Sequence, residues 1–199
     1  MAFINLKSKE IKIKIVYYGP GQSGKTTNLI YIYSKFRNQI RSKMITIDTS
    51  GDRTIFFDFL PFNLGKLNGF NIMVQLYTVP GQVRYRATRE LVLRGVDGVV
   101  FVADMSKTKR RENIISLKDL HHNLMKYNKR ILNIPLVFQF NKLDLVKKNL
   151  PLLSTKRLDR DLNSKLKRPC FTASALKGYN VASTLKRITS MTISSLKND

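Results

Sequence analysis

The chain has 199 residues, 43% of them hydrophobic, and sets 36 Lys and Arg against 13 Asp and Glu for a formal net charge of +23. That length suits one globular domain with its own core, and the lone cysteine, Cys170, excludes an internal disulfide and points to a reducing compartment. No apolar run reaches the roughly 18 residues of a membrane span, and neither a signal-like segment nor a myristoylation glycine stands near Met1, so a cytoplasmic protein is expected.

IKIKIVYYG alternates and then becomes continuously apolar, which predicts a strand entering a buried sheet. GKTTNLIYIYSKF follows with helical spacing. TIFFDFLPF and FNIMVQLYTV read as two strands, and the Asn68-Gly69 pair between them predicts an antiparallel hairpin. DGVVFVAD and PLVFQF have the short apolar form of buried parallel strands, each followed by a helical stretch. RPCFTA closes the sheet, and NVASTLKRITSMTISSL is a final amphipathic helix. This order predicts an α/β fold: a three-layer, doubly wound mixed sheet of about six strands with one antiparallel edge hairpin, in a single domain over 1–199. Ligands of such sheets collect at the carboxyl ends of the strands. The motifs lie there.

Gly19 to Thr26 satisfies GxxxxGK[ST] between a strand and a helix. Gly19, Gly21, Gln22, Ser23 and Gly24, continuing to Thr27, would cradle phosphate oxygens through backbone N–H groups and the helix N-terminus. Lys25 adds charge on the β- and γ-phosphates, and the Thr26 hydroxyl can ligate magnesium. Asn141, Lys142 and Asp144 form NKLD where PLVFQF ends. The Asp144 carboxylate can accept two hydrogen bonds from guanine that adenine does not offer, and the Lys142 stem can lie along the base. Ser174, Ala175 and Leu176 would close over the base. The basic excess runs through KTKRR, TKRLDR and KLKRP without an aromatic-interleaved RNA motif. It reads as a solvated surface, with attraction to anionic lipid or nucleic acid as the functional alternative.

Together these residues resemble the Ras-like small GTPases, whose fold is of the P-loop NTPase kind. The runs KIVYYGPGQSGKTTNLIYIY, DRTIFFDFLPF, LYTVPGQVRYRATR, GVDGVVFVAD and NKLD resemble the bacterial MglA-type gliding-motility GTPases. The resemblance is dense over residues 3–104 and rests mainly on NKLD beyond them. It implies a molecular switch that binds GTP/GDP with Mg²⁺ and hydrolyses GTP to GDP and phosphate. By the same resemblance the catalytic residues are Gln82, which orients the attacking water, Arg53, an arginine finger from the chain itself, Thr54, the switch threonine, and Lys25. Arg84 and Arg86 compete with Arg53. Gly81 meets the γ-phosphate, and the metal ligands are Thr26 and Thr54.

Ras-like proteins carry an aspartate where this chain has Thr78, and MglA-type proteins look like this chain there. A threonine supplies no charge, so the metal is expected to lean on the phosphates, Thr26 and Thr54. The implied partners are a roadblock-fold MglB-like activating protein and effectors of cell polarity or surface motility. Recruitment to a cell pole or the inner face of the membrane would use a receptor or electrostatic contact with anionic lipid. Readings from other classes are a non-hydrolysing GTP-dependent adaptor and a basic nucleic-acid-associated GTPase, nucleic acid being the less expected partner.

Overall fold

The computed structural model describes residues 3–40, 44–48, 56–82 and 85–196. In chain order the elements are β1 (Phe3–Asn5), β2 (Glu10–Tyr18), α1 (Lys25–Lys35), β3 (Ile45–Asp48), β4 (Phe56–Leu67), β5 (Phe70–Thr78), α2 (Arg86–Leu93), β6 (Gly98–Asp104), α3 (Arg110–Met125), β7 (Leu136–Asn141), α4 (Thr155–Leu162), β8 (Cys170–Thr172) and α5 (Val181–Ser195). Among the described residues the strands form one mixed sheet in the order β3-β4-β5-β2-β6-β7-β8, with β1 beside the start of β2.

β2 shows why the sheet is buried on both faces. Ile13, Ile15 and Tyr17 enter the core under α1 and α5, whereas Val16 and Tyr18 enter the opposite core with α2, α3 and α4. Successive strand residues point to opposite faces, so an uninterrupted apolar run needs helices above and below. The helices answer with apolar stripes: Leu29 and Ile32 of α1, Leu120 and Leu124 of α3, and Leu185 and Ile188 of α5 are all buried. β2, β5, β6, β7 and β8 run parallel, so their carboxyl ends share one side of the molecule.

β4 pairs antiparallel with β5 through the expected hairpin, and Asn68 and Gly69 take the positive φ values of 49° and 82° that such a two-residue turn requires. The six expected strands are present, and two short ones extend them. β3 lies outside β4, and β1 pairs with Glu10–Lys12 on the β2 edge that β6 occupies from Ile15 onward. Three or four residues give too little periodicity to announce a strand; their pairing comes from the open edge beside them.

Candidate nucleotide site

β2 ends at Tyr18, and the loop from Gly19 to Gly24 turns its carboxyl end into α1. Gly24 sits at φ 96°, and no side chain caps α1, so its first N–H groups remain for a ligand at the loop. The Lys25 ammonium is buried and donates to the carbonyls of Gly19 at 3.0 Å and Pro20 at 2.6 Å. Its pKa is lowered to about 7, chiefly by burial and also by repulsion from Arg89, with Asp58 opposing the fall. A cavity of about 940 Å³ lies over the loop, walled opposite by the segment from Thr78 to Gln82 and by Glu112, Ser116 and Asp119 of α3.

The turn at Pro80-Gly81-Gln82 is pressed against the loop. A Cβ on Gly81 would lie 2.1 Å from the Gly21 nitrogen and 2.3 Å from the Pro20 carbonyl carbon, so only glycine fits. A Cβ on Gly21 would meet Gly81 and the Gln82 side chain at ordinary contact distances near 4 Å. A side chain longer than a methyl at position 21 would therefore crowd Gln82.

Thr78 resolves differently from the sequence expectation. Its hydroxyl donates to Oδ2 of Asp58 at 2.7 Å and accepts from the Asp58 backbone N–H at 3.0 Å. The Thr26 hydroxyl donates to the same Asp58 oxygen at 2.6 Å. Asp58 is buried, at 1% exposure. The negative charge missing at position 78 thus stands beside Thr26 after all, supplied by the neighbouring strand. Sequence reasoning missed Asp58 because FFDF reads as a strand with one polar residue; the available signal was a carboxylate near the start of β4 and a threonine near the end of β5. Oxygen donors from two hydroxyls and a carboxylate suit a hard divalent cation such as Mg²⁺. Among the described residues there is no cluster of three or more His, Cys, Asp or Glu side chains suited to a metal.

The base-reading residues form a second cluster, outside the cavity lining but joined to the loop. Asn141 donates through Nδ2 to the Ser23 carbonyl at 2.8 Å and accepts through Oδ1 from the Ala175 N–H at 2.8 Å. Asp144 accepts from the Ser174 hydroxyl at 2.5 Å. Lys142 extends to the fully buried Asp104 carboxylate at 2.7 Å. Leu176 is 66% exposed at the rim. Phosphate loop, NKLD and the Ser174–Ala175 segment are therefore parts of one assembly. Gln22, Thr26 and Gln82 are exposed, and Thr27 is half-buried. Arg53, Thr54 and Arg84 lie outside the described residues. Arg86 does not line the cavity; it bonds Glu90 at 3.1 Å and His122 at 3.0 Å.

A doubly wound sheet whose first loop is a P-loop, joined by Asn141 to a base-reading segment, defines the class of small guanine-nucleotide switches. The model of the ADP-ribosylation factor family matches residues 1–192. The chain belongs to that family and is a Ras-like, GTP-binding switch with GTPase activity. Its relatives include Mutual gliding-motility protein MglA of Myxococcus xanthus (strain DK1622), 46% identical over 197 residues, which span 99% of this chain and 98% of that protein. Ras-related protein Rab-7a of Dictyostelium discoideum is 29% identical over 90% of this chain and 82% of its own length. ADP-ribosylation factor-like protein 8d of Arabidopsis thaliana is 29% identical over 71% of this chain and 68% of its own length. Membership does not favour the adaptor or nucleic-acid readings. No helix among the described residues is long and apolar enough to cross a membrane.

Proposed function

We propose that this chain, acting as a single domain, is a GTP-operated switch for bacterial cell polarity and surface motility. The support is its 46% identity to a protein named for gliding motility. GTP and GDP bind with their phosphates on Gly19, Gly21, Gln22, Ser23, Gly24, Lys25, Thr26 and Thr27, and with the base between Asn141, Lys142 and Asp144 on one side and Ser174, Ala175 and Leu176 on the other. Magnesium, when bound, neutralises charge on the β- and γ-phosphates. Thr26 and Thr54 hold it, and Asp58, steadied by Thr78, supplies the carboxylate that organises its surroundings.

In hydrolysis, water adds to the γ-phosphorus while the bond to the β–γ bridging oxygen breaks, giving phosphate and GDP. Gln82 orients that water, Gly81 donates its N–H towards the γ-phosphate, and Lys25 balances the phosphate charge. Arg53 neutralises the charge that develops on the transferring group, a contribution worth about 10³ to 10⁵ in rate. The Arg86 side chain is already paired with Glu90 and His122, which supports Arg53 over Arg86. The activating partner is a roadblock-fold MglB-like protein, and the outputs are motility or polarity effectors. The protein works in the cytoplasm and is recruited to a pole or to the inner face of the membrane, aided by its positive charge.

The observation that carries the guanine assignment is Asn141, bonded at once to Ser23 and Ala175. Heat-denaturing the purified protein and chromatographing the released nucleotide tests it. GDP or GTP is expected, and recovery of adenine nucleotide would reject the base assignment. Asn141→Ala leaves the Ala175 N–H and the Ser23 carbonyl unpaired and should weaken GDP binding about tenfold or more in calorimetry.

A further inference from the structure

Arg89 of α2 is a cation buried in a place where the reaction described above gives it no task. Only 6% of the residue is exposed, and its guanidinium makes contacts in two directions. Nε donates to Asp119 Oδ2 of α3 at 2.8 Å. Nη1 donates to the carbonyls of Gln82 at 2.5 Å and Pro80 at 3.3 Å. These two carbonyls flank Gly81, the residue pressed against Pro20 and Gly21.

The far end of the fork is itself anchored. The Asp119 carboxylate accepts the Tyr18 hydroxyl and, at 3.3 Å, an N–H of Asn123, which also donates to the Tyr18 oxygen at 3.1 Å. Tyr18 is the last residue of β2, directly before Gly19 of the phosphate loop. The chain of contacts therefore closes a circuit: loop, Tyr18, Asp119, Arg89, Gln82 turn, and back to the loop at Gly81. Fastening α2 to α3 would need only the Arg89–Asp119 pair. The bonds to the turn carbonyls spend guanidinium donors on the main chain of the turn, where the Gln82 carbonyl also accepts the Tyr85 N–H at 3.2 Å, and the rigid fork of Arg suits such several-way recognition.

We propose that Arg89 is a positioning residue for GTP hydrolysis, fixing the Gln82 main chain over the phosphate loop and coupling that turn to α3 through Asp119. The inference rests on the assignment of Gln82 as the water-orienting residue. Displacing a catalytic group by about 1 Å can cost about a hundredfold in rate, so a loosened turn registers in the chemical step more than in binding.

The experiment compares single-turnover GTP hydrolysis, GDP affinity and denaturant stability in wild type, Arg89→Lys, Gln82→Ala and the double variant. Lysine keeps the positive charge beside Asp119 but, as a point charge, does not span the three acceptors. Arg89→Lys should slow hydrolysis about tenfold to a hundredfold while GDP affinity changes less than about threefold. The double variant should be no slower than Gln82→Ala alone, because Arg89 acts through Gln82. If Arg89→Lys does not fold, Asp119→Asn, which loosens the anchor and keeps its shape, should give the same split between rate and affinity. Losses that multiply in the double variant, or an unchanged rate in a folded Arg89→Lys protein, would overturn the role of Arg89 while leaving the Gln82 assignment standing. A Gln82→Ala protein that hydrolyses at the wild-type rate would remove that assignment and this proposal with it.

Discussion

Lys25 and Asp58 carry opposite charges at the two ends of one question, how a buried phosphate site holds itself ready. Lys25 has its pKa lowered from 10.5 to about 7, chiefly by burial and secondarily by Arg89. Between those values the folded, nucleotide-free protein has lost a proton that the unfolded chain keeps, so its stability rises with pH across that window as the cost of burying the ammonium disappears. Nucleotide phosphates bring negative charge to the amine and restore the ammonium. Binding GDP at about pH 8.5 should therefore take up close to one proton per site, and at about pH 6 none, as read by calorimetry in buffers of different ionisation enthalpy. Equal uptake at both pH values would contradict this. Asp58 is tested by Asp58→Asn, which keeps an acceptor for Thr26 and Thr78 but removes the charge. Mg²⁺ affinity of the GDP form should fall about tenfold to a hundredfold, with a smaller loss for Thr78→Ala.

At the scale of elements, the site depends on one extra residue in β4. From the turn, pairing runs Leu67 with Phe70 and Gly65 with Ile72, then shifts between Asn63 and Gly65 so that Phe59 meets Tyr77. Gly65 takes φ 88°, and its N–H donates to the Asn63 side chain at 2.8 Å, which fixes the bulge. Continued without that shift, the ladder would set Phe59 opposite Thr78. With it, Asp58 stands there and reaches both Thr78 and Thr26. Gly65→Val, which resists the positive φ the bulge requires, should favour the unshifted ladder, bring Phe59 opposite Thr78 and reproduce the Mg²⁺ loss of Asp58→Asn, while guanine preference, set on the far side of the sheet, persists. Deleting Leu64 instead removes the extra residue, keeps Asp58 opposite Thr78 and should spare both. Competition titrations with GDP and ADP alongside Mg²⁺ titrations separate the two. The hairpin itself was legible, because Asn-Gly is a local signal. The bulge was not, since a lone glycine within NLGKL reads as readily as a flexible spot in an ordinary strand.

Across the whole molecule the dominant quantity is the charge of +23. Ion pairs such as Arg110–Asp161 at 2.6 Å and Lys109–Glu112 at 2.8 Å engage part of the acidic complement. Exposed pairs contribute about 0 to 1 kcal/mol each, whereas more than twenty uncompensated positive charges repel one another over the whole surface. Screening should therefore help this protein more than it harms its ion pairs. The midpoint of thermal unfolding is expected to rise by several degrees as NaCl goes from about 0.02 M to about 0.5 M. A falling midpoint would mean that the pairs outweigh the repulsion.

The sequence by itself determined the order of the helices and the six longer-patterned strands, the phosphate loop and the NKLD segment, because each is written in consecutive residues whose chemistry acts locally: glycines that let a backbone curl, apolar alternation, an Asn-Gly turn. Only the tertiary structure decided which carboxylate serves the place left neutral by Thr78, how Arg86 is paired, and how Arg89 grips the turn of Gln82. Each of those facts includes a contact between distant residues, 20 positions from Thr78 to Asp58, 36 from Arg86 to His122 and 30 from Arg89 to Asp119, and it is the Asp119 anchor that sets Arg89 against the nearby Gln82 turn. A strand register or a helix packing angle sets such contacts, and neither is encoded at a single position.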